Sequence, residues 1–483
     1  MTNAMTWQSG LSQAPAPPLA DGIPLLGSAL PLMNDPLTFL EQQYLKHGPV
    51  FTVKALNRRF TVLAGPEANQ FLTAAGDAHL SGRYTWATFA DEIESEYFLA
   101  AIDGEPHSRM RKILKKPYSR TAIMEQLPTA VTLTRTLLAD WQPGATFVVF
   151  PTIQRLIGEQ IGRLLLGSGP GDYFPDFVLF MRTLLNAVLG QWPKISLRLP
   201  PYRRAKARVM QLAADMLASH RAQPKSADDG DLIDYLLAAS ADNPDMLSEP
   251  ELLIGALGPY LAGIDTAAGT TSFLIYALLK QPETLARLQT EIDAVFAAGP
   301  LTADRLRKMP ILHATAQETL RLYPVAPMVP RTVIEPFTFA GCQLHAMEPV
   351  MAATGVAHFD PRIYRDPHRF DIDRCLPPRQ ETRQPGAFAP YGFGAHTCAG
   401  AGFAEVLIML TAATLFHELE FALADPAYQL RRTYSPSPAP DKHCRVRVVR
   451  RRGGLLPADS GGDGGVVGGW AGDEAGLAHV GSR

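Results

Sequence analysis

Apolar positions recur at helical spacing through most of residues 66–298, broken by clusters of Pro and Gly, and predict a largely helical body. Strict alternation is confined to short stretches. "FTVKALNRRFTVLA" (51–64) predicts two strands around "LNRR", and "WQPGATFVVF" (141–150) predicts one strand between helices. Beyond residue 330 the pattern turns mixed, and "TFAGCQLHAMEPVMAAT" (338–354) reads as small strands and turns. The expected fold class is mainly α with small β-sheets near both ends. It lacks the regular βαβα alternation of a doubly wound sheet.

The longest apolar pattern runs from "SEPE" (248–251) to Lys280, and Pro282 stops it. Ser248 and Glu251 have the spacing of a capping box, and Pro250 is tolerated in the first turn. Such a helix spans roughly 50 Å, and its apolar faces predict that it crosses the body buried. Its middle, "LGPYLAGIDTAAGTT" (257–271), conflicts with that: Gly258 and Pro259 cost about 1 and 3 kcal/mol against Ala. Thr266 can donate to the carbonyl of Ala262, four residues back, which bends or opens a helix. Gly263, Asp265 and Thr266 together predict a groove for a small polar ligand, with an acid to feed protons. Downstream, Pro310 opens a helix that ends before Pro324 and sets Glu318 and Arg321 on one face. "DPHRF" (366–370) offers Arg369 to close a triad.

Composition narrows the classes. A net charge of -2 over 483 residues argues against a nucleic-acid partner. Four scattered cysteines (Cys342, Cys375, Cys398, Cys444) contain no CxxC, which argues against a zinc ribbon or a disulfide framework. Free thiols in a cytoplasmic setting are expected. No apolar run reaches the ~18 residues of a membrane span and no signal peptide is apparent, so no membrane anchor is expected. Residues 1–20 read as a flexible lead-in and 453–483 as a Gly-rich disordered tail. "YGFGAHTCAG" (391–400) sets Cys398 among three glycines and a histidine, just before an apolar helix pattern. A packing thiol, half a disulfide, a zinc ligand, a nucleophile and an iron ligand all remain open for it.

Taken in order, these pieces resemble the cytochrome P-450 haem-thiolate monooxygenases. Tyr391, Gly394, His396, Cys398 and Gly400 are similar to that family's haem signature, and Ala262, Gly263, Asp265 and Thr266 to its oxygen-activation motif. Glu318, Arg321 and Arg369 are similar to its buried Glu-Arg-Arg triad, and His107 and Arg111 of "HSRMR" to its propionate-binding helix. The resemblance covers about residues 20–450. It implies a cytochrome P-450-like fold, its long central helix over haem, with one haem-thiolate monooxygenase domain at 21–452.

The resemblance further implies haem b with Cys398 as axial iron ligand, because a thiolate pushes electron density toward O–O cleavage. A helix start beside Cys398 should favour the anion. His107, Arg111, Arg331 of "VPR" and His396 would pair with the propionates, and Gly263, Tyr391, Gly394 and Gly400 would lie against the cofactor. Thr266 would position dioxygen and Asp265 would relay protons, so that one oxygen atom enters a C–H bond or double bond and the other leaves as water. Trp86, Phe89, Ala262, Val325 and Met328 are candidate walls for a hydrophobic small molecule. Tyr391 stands where phenylalanine is usual, Ala267 replaces a second threonine, His368 replaces an acid, and Pro259 is uncommon. No GxGxxG or iron–sulfur cysteine cluster is present, which implies electrons from an external NAD(P)H-dependent chain. Lys112, Lys115, Lys116 and Arg120 would dock a ferredoxin- or flavodoxin-type donor, and a monomer is expected. The alternatives are a peroxygenase or isomerase on the same fold, which would not need Asp265 and Thr266, or a non-catalytic haem-binding protein.

Overall fold

A computed structural model describes residues 14–452 except 96, 190, 226–229, 246 and 435. The expected tail and residues 1–13 of the lead-in lie outside the described residues. The rest of the lead-in is tied down: Ala20 N–H donates to Thr52 O at 2.8 Å and Thr52 N–H to Pro18 O at 2.7 Å.

The helices include, in chain order, α1 (Arg83–Ile93), α2 (Gly104–Leu114), α3 (Val149–Leu165), α4 (Phe174–Val188) and α5 (Pro200–Ala222). They continue with α6 (Leu232–Asp242), α7 (Glu249–Lys280), α8 (Pro310–Leu322) and α9 (Ala401–Glu418). The strands are β1 (Val50–Ala55), β2 (Arg58–Ala64), β3 (Leu80–Ser81), β4 (Thr146–Val148), β5 (Val329–Val333), β6 (Pro349–Ala353), β7 (Leu419–Leu423) and β8 (Arg445–Arg451). One sheet has the order β1-β2-β6-β5-β3, a second the order β4-β8-β7, and two short ribbons complete the β structure. Both strands expected at 51–64 pair antiparallel, with Phe51 opposite Val62.

Helix α7 is unbroken over 32 residues, Pro259 included. Residues 267–278 are buried without interruption, which a helix apolar on every face requires. Glycines on both helices let α7 and α3 approach. A Cβ at Gly263 would stand 2.9 Å from Ile161 Cδ1, and one at Gly162 would stand 2.1 Å from the Tyr260 hydroxyl. The expected capping box does not form. Ser248 makes no side-chain cap, and Glu251 instead accepts from Ser95 Oγ at 2.6 Å and Tyr97 N–H at 3.4 Å. By mean hydropathy, α7 and the stretch 394–418, which ends in α9, do reach the length of a membrane span, contrary to the expectation. Their apolar windows, however, are 56% and 67% buried inside the fold.

His220, Asp231 and Asp234 come together at the start of α6. Their hydrogen bonds explain the cluster as a helix cap. Asp231 and Asp234 form a capping box, His220 Nδ1–H donates to Met216 O at 2.8 Å, and Nε2 faces Asp231 Oδ2 at 2.8 Å. Burial opposes the imidazolium, but the bonds to Asp231 and Met216 outweigh it, so the His220 pKa is raised. A raised histidine pKa stabilises the fold below the unfolded value and loses that contribution as pH rises through the folded value. Wild type should therefore exceed His220→Gln by about 1.5 kcal/mol at pH 6 and lose most of that margin by pH 9, read from urea midpoints.

Candidate active site

Backbone bonds define the cysteine loop. Cys398 N–H donates to Tyr391 O at 2.8 Å, and Ala401 N–H donates to Cys398 O at 3.3 Å where α9 begins. Arg111 of α2 reaches across to donate from Nη1 to Thr397 O at 2.7 Å. Gly394 takes φ +65°, a left-handed conformation that favours glycine, and the next N–H, from Ala395, bonds to Asp77 at 3.0 Å. Gly400 has open space where a Cβ would be, with nothing within 4 Å.

Cys398 is the one exposed member of the four free cysteines, yet it lies deep in protein, because it faces an internal cavity. Burial raises the thiol pKa, and the Gly400 N–H and Arg111 only partly offset it. The expected acidification by the helix start does not prevail on the thiol itself.

Thr266, Ala262, Val325, Arg331, Tyr391 and His396 line the same cavity. The Thr266 hydroxyl donates to Ala262 O at 2.8 Å, the back-bond expected from the sequence. Asp265 is not in the lining: its Oδ1 accepts from Gln154 Nε2 of α3 at 2.5 Å, and burial raises its pKa against that bond and the Arg182 charge. Gly263 packs on α3 rather than facing the cavity. Trp86, Phe89 and Met328 also lie outside the lining. Phe89 stacks on Phe98 and Trp86 meets Phe98 edge-on in an aromatic cluster, whereas Met328 packs on the core beneath the main sheet.

The triad needs a correction. Glu318 accepts from Arg321 at 2.7 and 2.8 Å and from Arg374 Nε at 3.0 Å, and all three side chains are wholly buried. Arg374 also bonds Glu381 at 2.6 Å. Arg369 is exposed and contributes only its carbonyl, which accepts from Arg321 and Arg374 at 3.2 Å. Its side chain follows the turn at Asp366 (φ +49°) out to solvent, while Phe370 turns in. His368, where an acid is usual, pairs with Glu41 at 2.9 Å.

Sequence reasoning also missed His358. It is fully buried, and burial with the Arg321 charge pushes its pKa down to about 3. The neutral ring bonds Arg321 O from Nδ1 at 3.1 Å and accepts Ala389 N–H on Nε2 at 2.9 Å. The triad thereby reaches the segment that leads to Tyr391 and Cys398.

These residues fit a haem. Cys398 offers one soft donor on a cavity wall. Arg331 opens onto the same cavity, where its guanidinium bonds only Pro330 O at 3.0 Å and pairs with no acid among the described residues. Burial lowers the Arg331 pKa, so an anion such as a propionate would relieve that cost. The His396 ring lies 4.1 Å from that of His107, tilted against it, and bonds Asp103 at 3.1 Å. Burial, then the charges of His396 and Arg111, push the His107 pKa down to about 4 and keep it neutral. The Tyr391 hydroxyl is buried and has no hydrogen-bond partner among the described residues.

The model of the Cytochrome P450 family matches residues 17–435. The chain is similar to the putative cytochrome P450 120 of Synechocystis sp., 28% identical and covering 92% of this chain and 99% of that one. It is also similar to the cyclooctat-9-en-7-ol 5-monooxygenase of Streptomyces melanosporofaciens, at 27% identity over 81% of this chain and 86% of the relative. Among solved structures, the retinoic-acid-bound cyanobacterial CYP120A1 matches with a TM-score of 0.79 and 27% identity, covering 90% of this chain and 99% of that one.

Proposed function

This chain belongs to the cytochrome P450 family, and from that premise we propose that it inserts one oxygen atom from O2 into a terpenoid-, steroid- or fatty-acid-like lipophile in the cytoplasm. The observation that carries the reading is that Cys398 and Thr266 line one largely apolar cavity. Two relatives, the cyclooctat-9-en-7-ol 5-monooxygenase and a sterol 14alpha-demethylase of Mycolicibacterium vanbaalenii, support the substrate class.

When bound, haem b supplies the oxygen-splitting chemistry. The chain's own residues do the rest. Cys398 would hold the iron, while His107, Arg111, Arg331 and His396 would hold the propionates. Arg111 serves as a brace for the cysteine loop through Thr397 O. Thr266 offers its hydroxyl to the cavity, and Asp265 must release Gln154 before it can pass a proton inward. In Thr266→Ala, reductant consumption should persist while product per reductant falls roughly tenfold or more, with peroxide replacing product. Unchanged coupling would instead favour a peroxygenase or isomerase.

Electrons would come from a ferredoxin- or flavodoxin-type donor fed by NAD(P)H, docking on the cysteine side. Lys112 and Lys115 are exposed there, next to Arg111. The other two basic residues are engaged: Arg120 pairs with Glu405 of α9, and Lys116 lies 5.2 Å over the Tyr235 ring. Lys112→Glu with Lys115→Glu should slow reduction by a ferredoxin roughly tenfold at low salt and leave dithionite reduction intact. Equal ferredoxin rates would remove the docking role.

A further inference from the structure

A second cavity, of about 310 Å3, lies beside the cysteine loop and takes no part in the chemistry above. Helix α8 gives it Ala316, Gln317 and Leu320, the segment 388–392 gives it Phe388 and Tyr391, and α9 gives it Glu405. Neither Cys398 nor Thr266 lines it. Leu320, Pro390, Tyr391 and Gly392 line both cavities and so form the partition between them. The polar groups of the second cavity are not equally free. Thr397 Oγ1 donates to Gly394 O at 2.9 Å. Glu405 is bonded to Arg120, with His313 Nδ1 3.8 Å away. Burial opposes its charge, but the contact with His313 and the Arg120 charge outweigh it and lower the Glu405 pKa. The side-chain amide of Gln317 is half-buried and bonds to nothing among the described residues. Tyr391, whose hydroxyl is likewise without a partner there, stands in the partition.

These groups select an occupant. An anion would meet the Glu405 carboxylate, and a cation would have to displace Arg120 from it. The free amide of Gln317 offers an acceptor and two donors, and another amide returns a donor and an acceptor in one plane. Phe388, half-buried in the same wall, gives an aromatic ring an offset or edge-on contact. The volume suits roughly ten non-hydrogen atoms, at the small end of ligand sites. We propose that this second cavity binds a small neutral aromatic amide through Gln317. The occupant would rest against the partition that separates it from Cys398, and Tyr391 O in that partition accepts the Cys398 N–H at 2.8 Å. The site thereby gives the cysteine loop a regulatory contact that does not compete with substrate.

The test is fluorine NMR of 4-fluorobenzamide added to the haem-loaded full chain, with the first cavity closed by an iron-ligating azole. The resonance should shift saturably at roughly millimolar probe. Gln317→Leu should weaken binding about tenfold, the loss of one amide pairing. Ala316→Phe should abolish it by filling the cavity. Haem absorbance and azole affinity should match wild type in both variants, and Gln317→Leu decides alone if Ala316→Phe loses them. Wild type with no saturable shift, or variants that bind as wild type does, would overturn the proposal. So would a shift seen only without the azole, which would assign the probe to the first cavity. None of these readings involves turnover, so such a failure leaves the oxygen-insertion reading in place.

Discussion

Arg374→Ala costs about 3–5 kcal/mol of stability and the bound cofactor with it, whereas Arg369→Ala shifts stability by less than about 0.5 kcal/mol. The two arginines lie five residues apart on one segment, and burial separates them. Arg374 is wholly inside, bonded to Glu318 and Glu381 and to the carbonyls of Arg365, Asp366 and Arg369. Removing it leaves the Glu318 carboxylate in a dry site with half its counter-charge, and takes a donor from three carbonyls, of which those of Asp366 and Arg369 keep another, from Arg369 N–H and Arg321. Arg369 keeps its carbonyl whatever its side chain, so alanine preserves the bonds from Arg321 and Arg374. The damage should pass through His358, which hands the geometry of Arg321 to Ala389 and so to the Cys398 loop. Urea midpoints give the stability, and haem absorbance after gel filtration gives retention. A stable Arg374→Ala that keeps haem, or a damaged Arg369→Ala, would reverse the assignment.

That reversal of arginines shows where sequence stops being legible. The long helix, the strand pair at 51–64 and the cysteine loop before α9 follow from local period, turn chemistry and the resemblance. Which arginine turns inward does not, since ExxR fixes only two of the three partners. A signal was nonetheless present in "FDIDRC": Arg374 sits beside the apolar Ile372, Cys375 and Leu376, where a charge must be paired. The capping box failed for a related reason. Glu251 had a local use at the helix start, but Ser95 and Tyr97, over 150 residues away, claimed it. Asp265 was claimed likewise by Gln154, 111 residues earlier. Long-range partners of acids on a buried helix leave no local trace, because a carboxylate's spacing to its own neighbours is unaffected. The glycines of α7 misled in the opposite direction. Part of what reads as a groove is room for α3, which only the packed structure displays.

Cys398→Ser should leave the fold intact and abolish oxygen insertion. Serine matches cysteine in shape, and the loop is held by atoms the substitution does not touch. These are the Cys398 N–H on Tyr391 O, the Ala401 N–H on Cys398 O and Arg111 on Thr397 O. Stability should therefore change by less than about 1 kcal/mol. The donor changes completely. A thiol is deprotonated outright by a coordinating metal, which overcomes the upward push that burial gives Cys398. A serine hydroxyl is far less acidic and cannot supply the electron-rich axial sulfur on which O–O cleavage depends. The reading is spectroscopic before it is catalytic. Dithionite-reduced wild type with carbon monoxide should show the strongly red-shifted Soret band of a thiolate-ligated haem, and Cys398→Ser should lose it along with all product. A wild-type band typical of histidine ligation would point away from Cys398 and toward His107 or His396, 4.1 Å apart in the same site. Well-folded wild type that takes up no haem would remove the basis for any oxygen chemistry in this cavity.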